Sequence, residues 1–167
     1  EKIIVEDGHN HRTQFDQHLI DELGKSIQDK GLLSPILVRP NPAGGYLLVA
    51  GERRLRAAKA IKLERIPARV KEMTDDQAME IAIIENLQRK DVHPMDEAAA
   101  YQRLQEIQHL SIEDLSLRVG KSPKYVIGRL QLVSLIKELR KAFFQDQFGI
   151  GFALQLARLT QDNQKQF

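Results

Sequence analysis

Three features of this 167-residue chain predict an α+β fold: a small N-terminal mixed sheet with flanking helices, followed by an all-α region. Short apolar runs alternate with an amphipathic stretch over residues 1–72. Strand signals then vanish from Thr74 onward, and helical starts and stops punctuate the rest. The expected domains are therefore 1–72 and 73–167.

Each element has its own signal. "KIIVE" reads as a short strand. "DQHLIDELGKSIQDKG" sets Leu19, Leu23 and Ile27 at i, i+4 and i+8, and Gly31 ends the helix as a C-terminal cap. "SPILVRP" and "GYLLVAG" read as strands around the turn "NPAGG", a helix runs from Gly51 to about Ile61, and "IPARV" is the last strand. Beyond it, "TDDQ" has the form of a capping box, Thr74 against Gln77, before a helix to about Arg89. "HPMDE" starts the next helix, with Pro94 at its first position and Asp96 and Glu97 in the first turn, where the dipole favours acids. Ala98, Tyr101 and Leu104 form its buried stripe.

Composition narrows the chemistry. Lys and Arg number 25 against 23 Asp and Glu, so any nucleic-acid contact is a local patch rather than a basic coat. Cysteine is absent, which excludes disulfides, thiol nucleophiles and Cys-based zinc sites and fits a reducing cytosol. The five histidines lack H-E-x-x-H spacing and read as surface or capping residues. No apolar run is long enough to span a bilayer.

"VAGERRLRAAKA", residues 49–60, runs a strand into a glycine and a helix with three early arginines, Arg53, Arg54 and Arg56. The first helical N–H groups lack intrahelical partners, Gly51 admits close approach to the backbone, and guanidinium forks suit phosphate oxygens. A solvated helix face fits the same letters, and the Walker pattern GxxxxGK[ST] is missing. "MEIAIIENLQRKD" poses a similar choice. Glu85 and Arg89 at i, i+4 make an ordinary helix pair, while Glu85 with Asn86 offers oxygen ligands for Mg²⁺ if a phosphate site lies nearby.

"SIEDLSLRVGKSPKYVIGRLQLV" has the layout of a helix-turn-helix. Ile112, Leu115 and Val119 form a core stripe, Gly120 the turn, Ser122 the N-cap and Pro123 the first position of the second helix. Val126, Leu130 and Val133 face inward. Lys121, Ser122, Lys124, Tyr125 and Arg129 are expected to face outward, suited to DNA phosphates and base edges. An ordinary helical hairpin is the alternative.

Taken in order, "HRTQFDQHLIDELGKSIQDKGLLSPILVRP", "YLLVAGERRLRAAKAIKLERIPARV", "MEIAIIENLQRKDVHPMDEAAAYQRL" and the helix-turn-helix resemble the ParB family of bacterial chromosome and plasmid partition proteins. The resemblance runs from about Asn10 to at least Val133. It implies a ParB/sulfiredoxin-like N-terminal lobe and a pocket for CTP with Mg²⁺. It also implies slow CTP hydrolysis and a centromere-like DNA site that promotes CTP-dependent closure of a homodimer into a sliding clamp. By motif match, Gly51, Arg53 and Arg54 contact the triphosphate, Arg12 lines the pocket, Glu85 and Asn86 hold the metal, and Glu52 and Glu85 serve hydrolysis. Arg56 and Arg89 join the nucleotide-binding set. The triphosphate is expected to bridge the N-terminal lobe and the ENLQR helix. A ParA-type ATPase partner and a cytoplasmic, nucleoid- or plasmid-associated location complete what the resemblance implies.

Three positions depart from the family pattern. His11 stands where proline is usual, Ser34 where glutamine commonly precedes proline, and Pro123 where a basic residue is common. The first two bear on base selectivity and nucleotide affinity; the third removes one DNA contact. These 167 residues carry neither the C-terminal dimerisation domain nor the long N-terminal tail usual in the family, so the chain is expected to be monomeric alone or to dimerise weakly with ligand. Two other functions remain: a nucleotide-independent helix-turn-helix regulator and a ParB-like nuclease. A sulfiredoxin-like ATP enzyme would need the missing cysteine.

Overall fold

The computed structural model describes residues 2–5, 16–89 and 91–167, and the chain divides into two units, Glu1–Ala82 and Ile83–Phe167.

The first unit is organised by a hairpin. Strands β2 (Ile36–Pro40) and β3 (Tyr46–Ala50) pair antiparallel, Val38 opposite Leu48 and Pro40 opposite Tyr46. The Asn41 side chain accepts from the Ala43 N–H at 3.1 Å and Gly44 donates back to the Asn41 carbonyl at 2.8 Å, closing the turn expected of "NPAGG". Gly45 is required twice over. Its φ is +78°, and an added Cβ would lie 2.5 Å from the Lys2 carbonyl, which accepts the Tyr46 N–H where β1 (Ile3–Ile4) runs parallel to β3. Strand β4 (Ala68–Val70) adds parallel to the other side of β2, so the sheet order is β1-β3-β2-β4.

Helix α1 (Gln17–Lys30) starts where Asp16 accepts from the His18 N–H at 2.9 Å, and ends at Gly31 with φ +72°. Its buried stripe is Ile20, Gly24 and Ile27 rather than the expected Leu19, Leu23 and Ile27; Leu19 is 39% exposed and Leu23 half-buried. The stripe turns by one residue because α1 packs against α2 (Glu52–Ala60) through Gly24, where a Cβ would sit 2.9 Å from Ile61 Cγ2. Leu55 and Ala58 of α2 are buried, Leu55 in the core with Ile36, Val38 and Leu48.

The capping box forms at the start of α3 (Asp75–Leu87). The Thr74 N–H donates to Gln77 Oε1 at 3.1 Å and the Gln77 N–H to Thr74 Oγ1 at 3.3 Å. Asp75, in the first turn, pairs with the buried Arg39 of β2, which ties this helix start to the sheet.

In the second unit α4 (Pro94–Gln108) begins with His93 as N-cap, its Nδ1 accepting from the Met95 N–H at 3.1 Å, and buries Ala98, Tyr101 and Leu104. Helices α5 (Ile112–Val119) and α6 (Pro123–Gln131) follow, capped by Ser111 and Ser122, with Gly120 left-handed at φ +67° between them. Leu115 and Val126 are fully buried at the heart of this pair. After a 3₁₀ turn at Leu132–Ser134 come α7 (Lys137–Phe144), α8 (Ile150–Leu156) and α9 (Gln161–Gln164). They close a core of Met95, Ala98, Leu132, Leu135, Leu139, Phe143, Ala153 and Leu156. Gln164 is buried here because its amide is satisfied: it accepts from the Ile136 N–H at 2.9 Å and donates to the Leu159 and Ser134 carbonyls. The small sheet with helices and the helical region that follows match the α+β expectation.

Candidate nucleotide and nucleic-acid sites

Strand β3 delivers the chain into Gly51, whose φ of +99° and ψ of +31° few side chains tolerate. A Cβ there would also lie 3.0 Å from both Ile36 Cγ2 and Arg54 Nη2, so only glycine fits. Gly51 has no side chain with which to cap α2, and the first-turn N–H groups of the helix carry the positive end of its dipole.

The three arginines differ. Arg53 is exposed. Arg54 turns back over Gly51, its Nη1 donating to the Ser34 carbonyl at 2.9 Å and the Pro35 carbonyl at 2.7 Å. Arg56 is half exposed, and its Nε donates to Glu52 Oε1 at 2.7 Å, while the Glu52 side chain is only 6% exposed. Helix α2 thus sets one guanidinium in solvent and two against their own chain. Arg12 lies outside the described residues.

The second polar cluster sits on the last turn of α3 and just beyond it. Glu85 is exposed and Asn86 half-buried, and Arg89 donates to Asn86 Oδ1 at 3.0 Å. The pair the structure shows for Arg89 is therefore i−3 to Asn86, not the i−4 pair with Glu85. Among the described residues no three His, Asp or Glu side chains cluster as a metal site. One carboxylate and one carboxamide suit Mg²⁺ only with phosphate oxygens and water completing the shell, the usual manner for that ion.

The helix-turn-helix presents Lys121, Ser122 and Lys124 at the N-terminus of α6, all exposed. Ile127 shares that face at 43% exposure, and Gly128 beside it has open space where a side chain would be. Ile127 escaped the sequence reading, although its spacing of three from Lys124 was a usable signal.

Tyr125 and Arg129 do not face outward as expected. Both turn to Glu97 of α4. The Tyr125 hydroxyl donates to Glu97 Oε2 at 2.9 Å, with Oε1 at 3.1 Å, and Arg129 Nε donates to Oε2 at 2.6 Å. Arg129 Nη2 also reaches the Tyr125 oxygen at 2.9 Å, its guanidinium carbon 4.4 Å from that ring's centroid. The Tyr101 hydroxyl donates to Oε1 at 3.0 Å. The side chains of Arg129 and Glu97 are 15% and 9% exposed. A buried carboxylate needs partners, and these supply them. Burial, and then the negative Glu97 beside it, push the Tyr101 hydroxyl well above its usual range; burial and the hydrogen bond to Glu97 push Tyr125 up as well. The helix dipole, which is all the sequence offers to explain Glu97, does not account for this burial.

Comparison with known proteins agrees with this architecture. The model of the ParB N-terminal domain matches residues 2–87, and that of the ParB HTH domain residues 90–167. The chromosome-partitioning protein Spo0J of Thermus thermophilus is 43% identical over 152 residues, 91% of this chain and 56% of its own. The nucleoid occlusion protein of Listeria innocua is 39% identical over 154 residues, 92% of this chain and 54% of its own. This chain thus spans about half the length of these curated relatives. The crystal structure of a C-terminally truncated chromosome-partitioning protein ParB from Caulobacter crescentus, complexed to the centromeric parS site, superposes with a TM-score of 0.77 at 33% identity. That match covers 98% of this chain and 86% of that one. With two domain models that together cover nearly every residue, in the order the fold displays, the chain belongs to the ParB family.

Proposed function

We propose that this chain is the DNA-reading and nucleotide-responsive part of a partition protein, binding a centromere-like site and using CTP with Mg²⁺ to switch a homodimer into a DNA clamp. The observation that carries the DNA part is the exposed N-terminus of α6, where Lys121, Ser122 and Lys124 surround a left-handed Gly120 turn. Lysines there meet phosphates, the Ser122 hydroxyl has a hydrogen to donate, and the exposed Ile127 suits a thymine methyl in a major groove. The relative from Caulobacter, solved on parS, supports this reading. Among the described residues no helix is long and apolar enough to cross a membrane. A nucleoid- or plasmid-associated protein of the cytoplasm, served by a ParA-type ATPase, is the setting that fits.

The nucleotide part rests on the Gly51 turn. Backbone N–H groups at the start of α2 and the exposed Arg53 receive phosphate oxygens; Arg54 and Arg56 give up their own-chain partners to join them, and Arg12 and Arg89 belong to the same set. Glu85 and Asn86 hold Mg²⁺, which neutralises phosphate charge when bound. Glu52 and Glu85 are the candidates for slow hydrolysis, in which positioning and electrostatics do most of the work.

Calorimetry tests the pairing of the two sites, with CTP, ATP, GTP and UTP titrated in Mg²⁺ with and without a parS duplex. Saturable heat for CTP, increased by parS, is expected; no heat under any condition removes the nucleotide site. Arg54→Ala is expected to abolish the CTP heat while leaving parS affinity within about twofold. One observation favours a second reading, a nucleotide-independent DNA-binding regulator: Arg54 and Arg56 already have partners within their own unit.

A further inference from the structure

We propose that Glu97 is a positioning residue for DNA discrimination: its carboxylate holds Tyr125 and Arg129 of α6 against α4, setting the pose of the reading helix and withholding the Arg129 charge from phosphate. This rests on the reading of α6 as the DNA-contacting helix.

The geometry carries it. An acid in the first turn of a helix is ordinarily exposed, because its dipole benefit needs no burial. Glu97 instead points inward, 9% exposed, and its two oxygens collect donors from two helices. Oε1 takes the hydroxyls of Tyr101 and Tyr125, at 3.0 and 3.1 Å; Oε2 takes Tyr125 at 2.9 Å and Arg129 at 2.6 Å. Tyr125 and Arg129 stand at i, i+4, so one side of α6 is fastened over a full turn. The opposite result, a guanidinium reaching out to DNA, would require a buried carboxylate to lose its charged partner.

The network does not stop at the buried side. Lys121 Nζ lies 5.3 Å from the centroid of the Tyr125 ring, so the ring that Glu97 holds also flanks an exposed cation of the reading face. Glu97 therefore influences two charges in opposite ways. It steadies the surroundings of Lys121, which is offered to DNA, and it retains Arg129, which is not. A cation free to find any phosphate adds affinity for every sequence alike, so discrimination is lost through the pose: a loosened α6 gives up matched parS contacts that a scrambled duplex never made.

The test measures binding to a parS duplex and to a scrambled duplex of equal length, each across a range of salt, for wild type, Glu97→Gln, Arg129→Met and the double variant. In Glu97→Gln the freed Arg129 is expected to steepen the scrambled-duplex salt slope by about 0.9, one phosphate's worth. The parS-to-scrambled affinity ratio is expected to fall about tenfold. Arg129→Met alone is expected to keep the wild-type slope, and the double variant to return to it. Equal weakening on both duplexes with unchanged slopes would make Glu97 merely structural and overturn the proposal, as would a slope lowered by about 0.9 in Arg129→Met, which would make Arg129 a phosphate ligand. Should Glu97→Gln fail to unfold cooperatively on heating, the Arg129→Met slope decides alone. If wild type itself shows no preference for parS, the fault lies with the DNA reading on which the proposal rests.

Discussion

Arg56 and Arg129 each meet a carboxylate, yet the two pairs are built on different principles. Arg56 and Glu52 are four residues apart on one helix, and half of the Arg56 side chain remains in solvent. Any helix with those letters can form that contact, and its half-exposed guanidinium stays within reach of an incoming phosphate, although Glu52, at 6% exposed, still needs a partner. Arg129 and Glu97 are 32 residues apart, join two helices, and are reinforced by two tyrosine hydroxyls. That pair exists only when α4 and α6 have packed. An exchangeable arginine suits a ligand site, whereas a buried and multiply bonded one suits the frame that holds a site.

The sharpest way to break the comparison is Glu97→Ala. Removing one partner of a buried pair strands the other, with a cost of about 3–5 kcal/mol. Urea unfolding measures it, and a loss below about 1 kcal/mol would place this network with the surface pairs. Tyr101→Phe removes one of several donors and is expected to cost about 1 kcal/mol at neutral pH. Its larger signature is at alkaline pH. Because the folded state raises the tyrosine hydroxyls above their usual value of 10.0, the unfolded chain loses those protons first as pH climbs. The stability they contribute is complete below about pH 10 and declines above it. Equilibrium unfolding from pH 9 to 11.5 is expected to show that decline, and Tyr101→Phe to reduce it; identical profiles for the two proteins would remove Tyr101 from the cause.

What could be read from the letters follows the same division. Local rules found local structure: the "NPAGG" turn, the Thr74–Gln77 box, Ser122 and Pro123 at the start of α6, and the Ala98–Tyr101–Leu104 stripe all form. Motif order also reached the family, since its boxes are contiguous stretches of chain. Pairing decided by packing stayed hidden. The buried side of α1 turned on how closely α2 approaches Gly24, and nothing local distinguishes Leu19 from Ile20. The inward turn of Tyr125 and Arg129 depended on Glu97, far away in sequence and already accounted for by the helix dipole. Arg89 found Asn86 where helix spacing offered Glu85 equally well.

The smallest expected effect is that of Arg56→Ala, and it sharpens the contrast most economically. A helical pair with a half-exposed guanidinium contributes about 0.3–0.5 kcal/mol, and side-chain entropy regained on truncation offsets part of that. Salt then separates the two kinds of pair without further mutation. Raising sodium chloride from about 0.1 to 1 M shortens the screening length from about 10 to 3 Å, which weakens attraction between charges that water reaches and barely touches those it does not. Unfolding of Arg56→Ala is therefore expected to match wild type within about 0.2 kcal/mol at high salt, while the deficit of Glu97→Ala persists. A deficit in Arg56→Ala that survives 1 M salt would mean that Glu52, itself buried, depends on Arg56 as Glu97 depends on Arg129. The arginines of α2 would then belong to the frame rather than to a ligand.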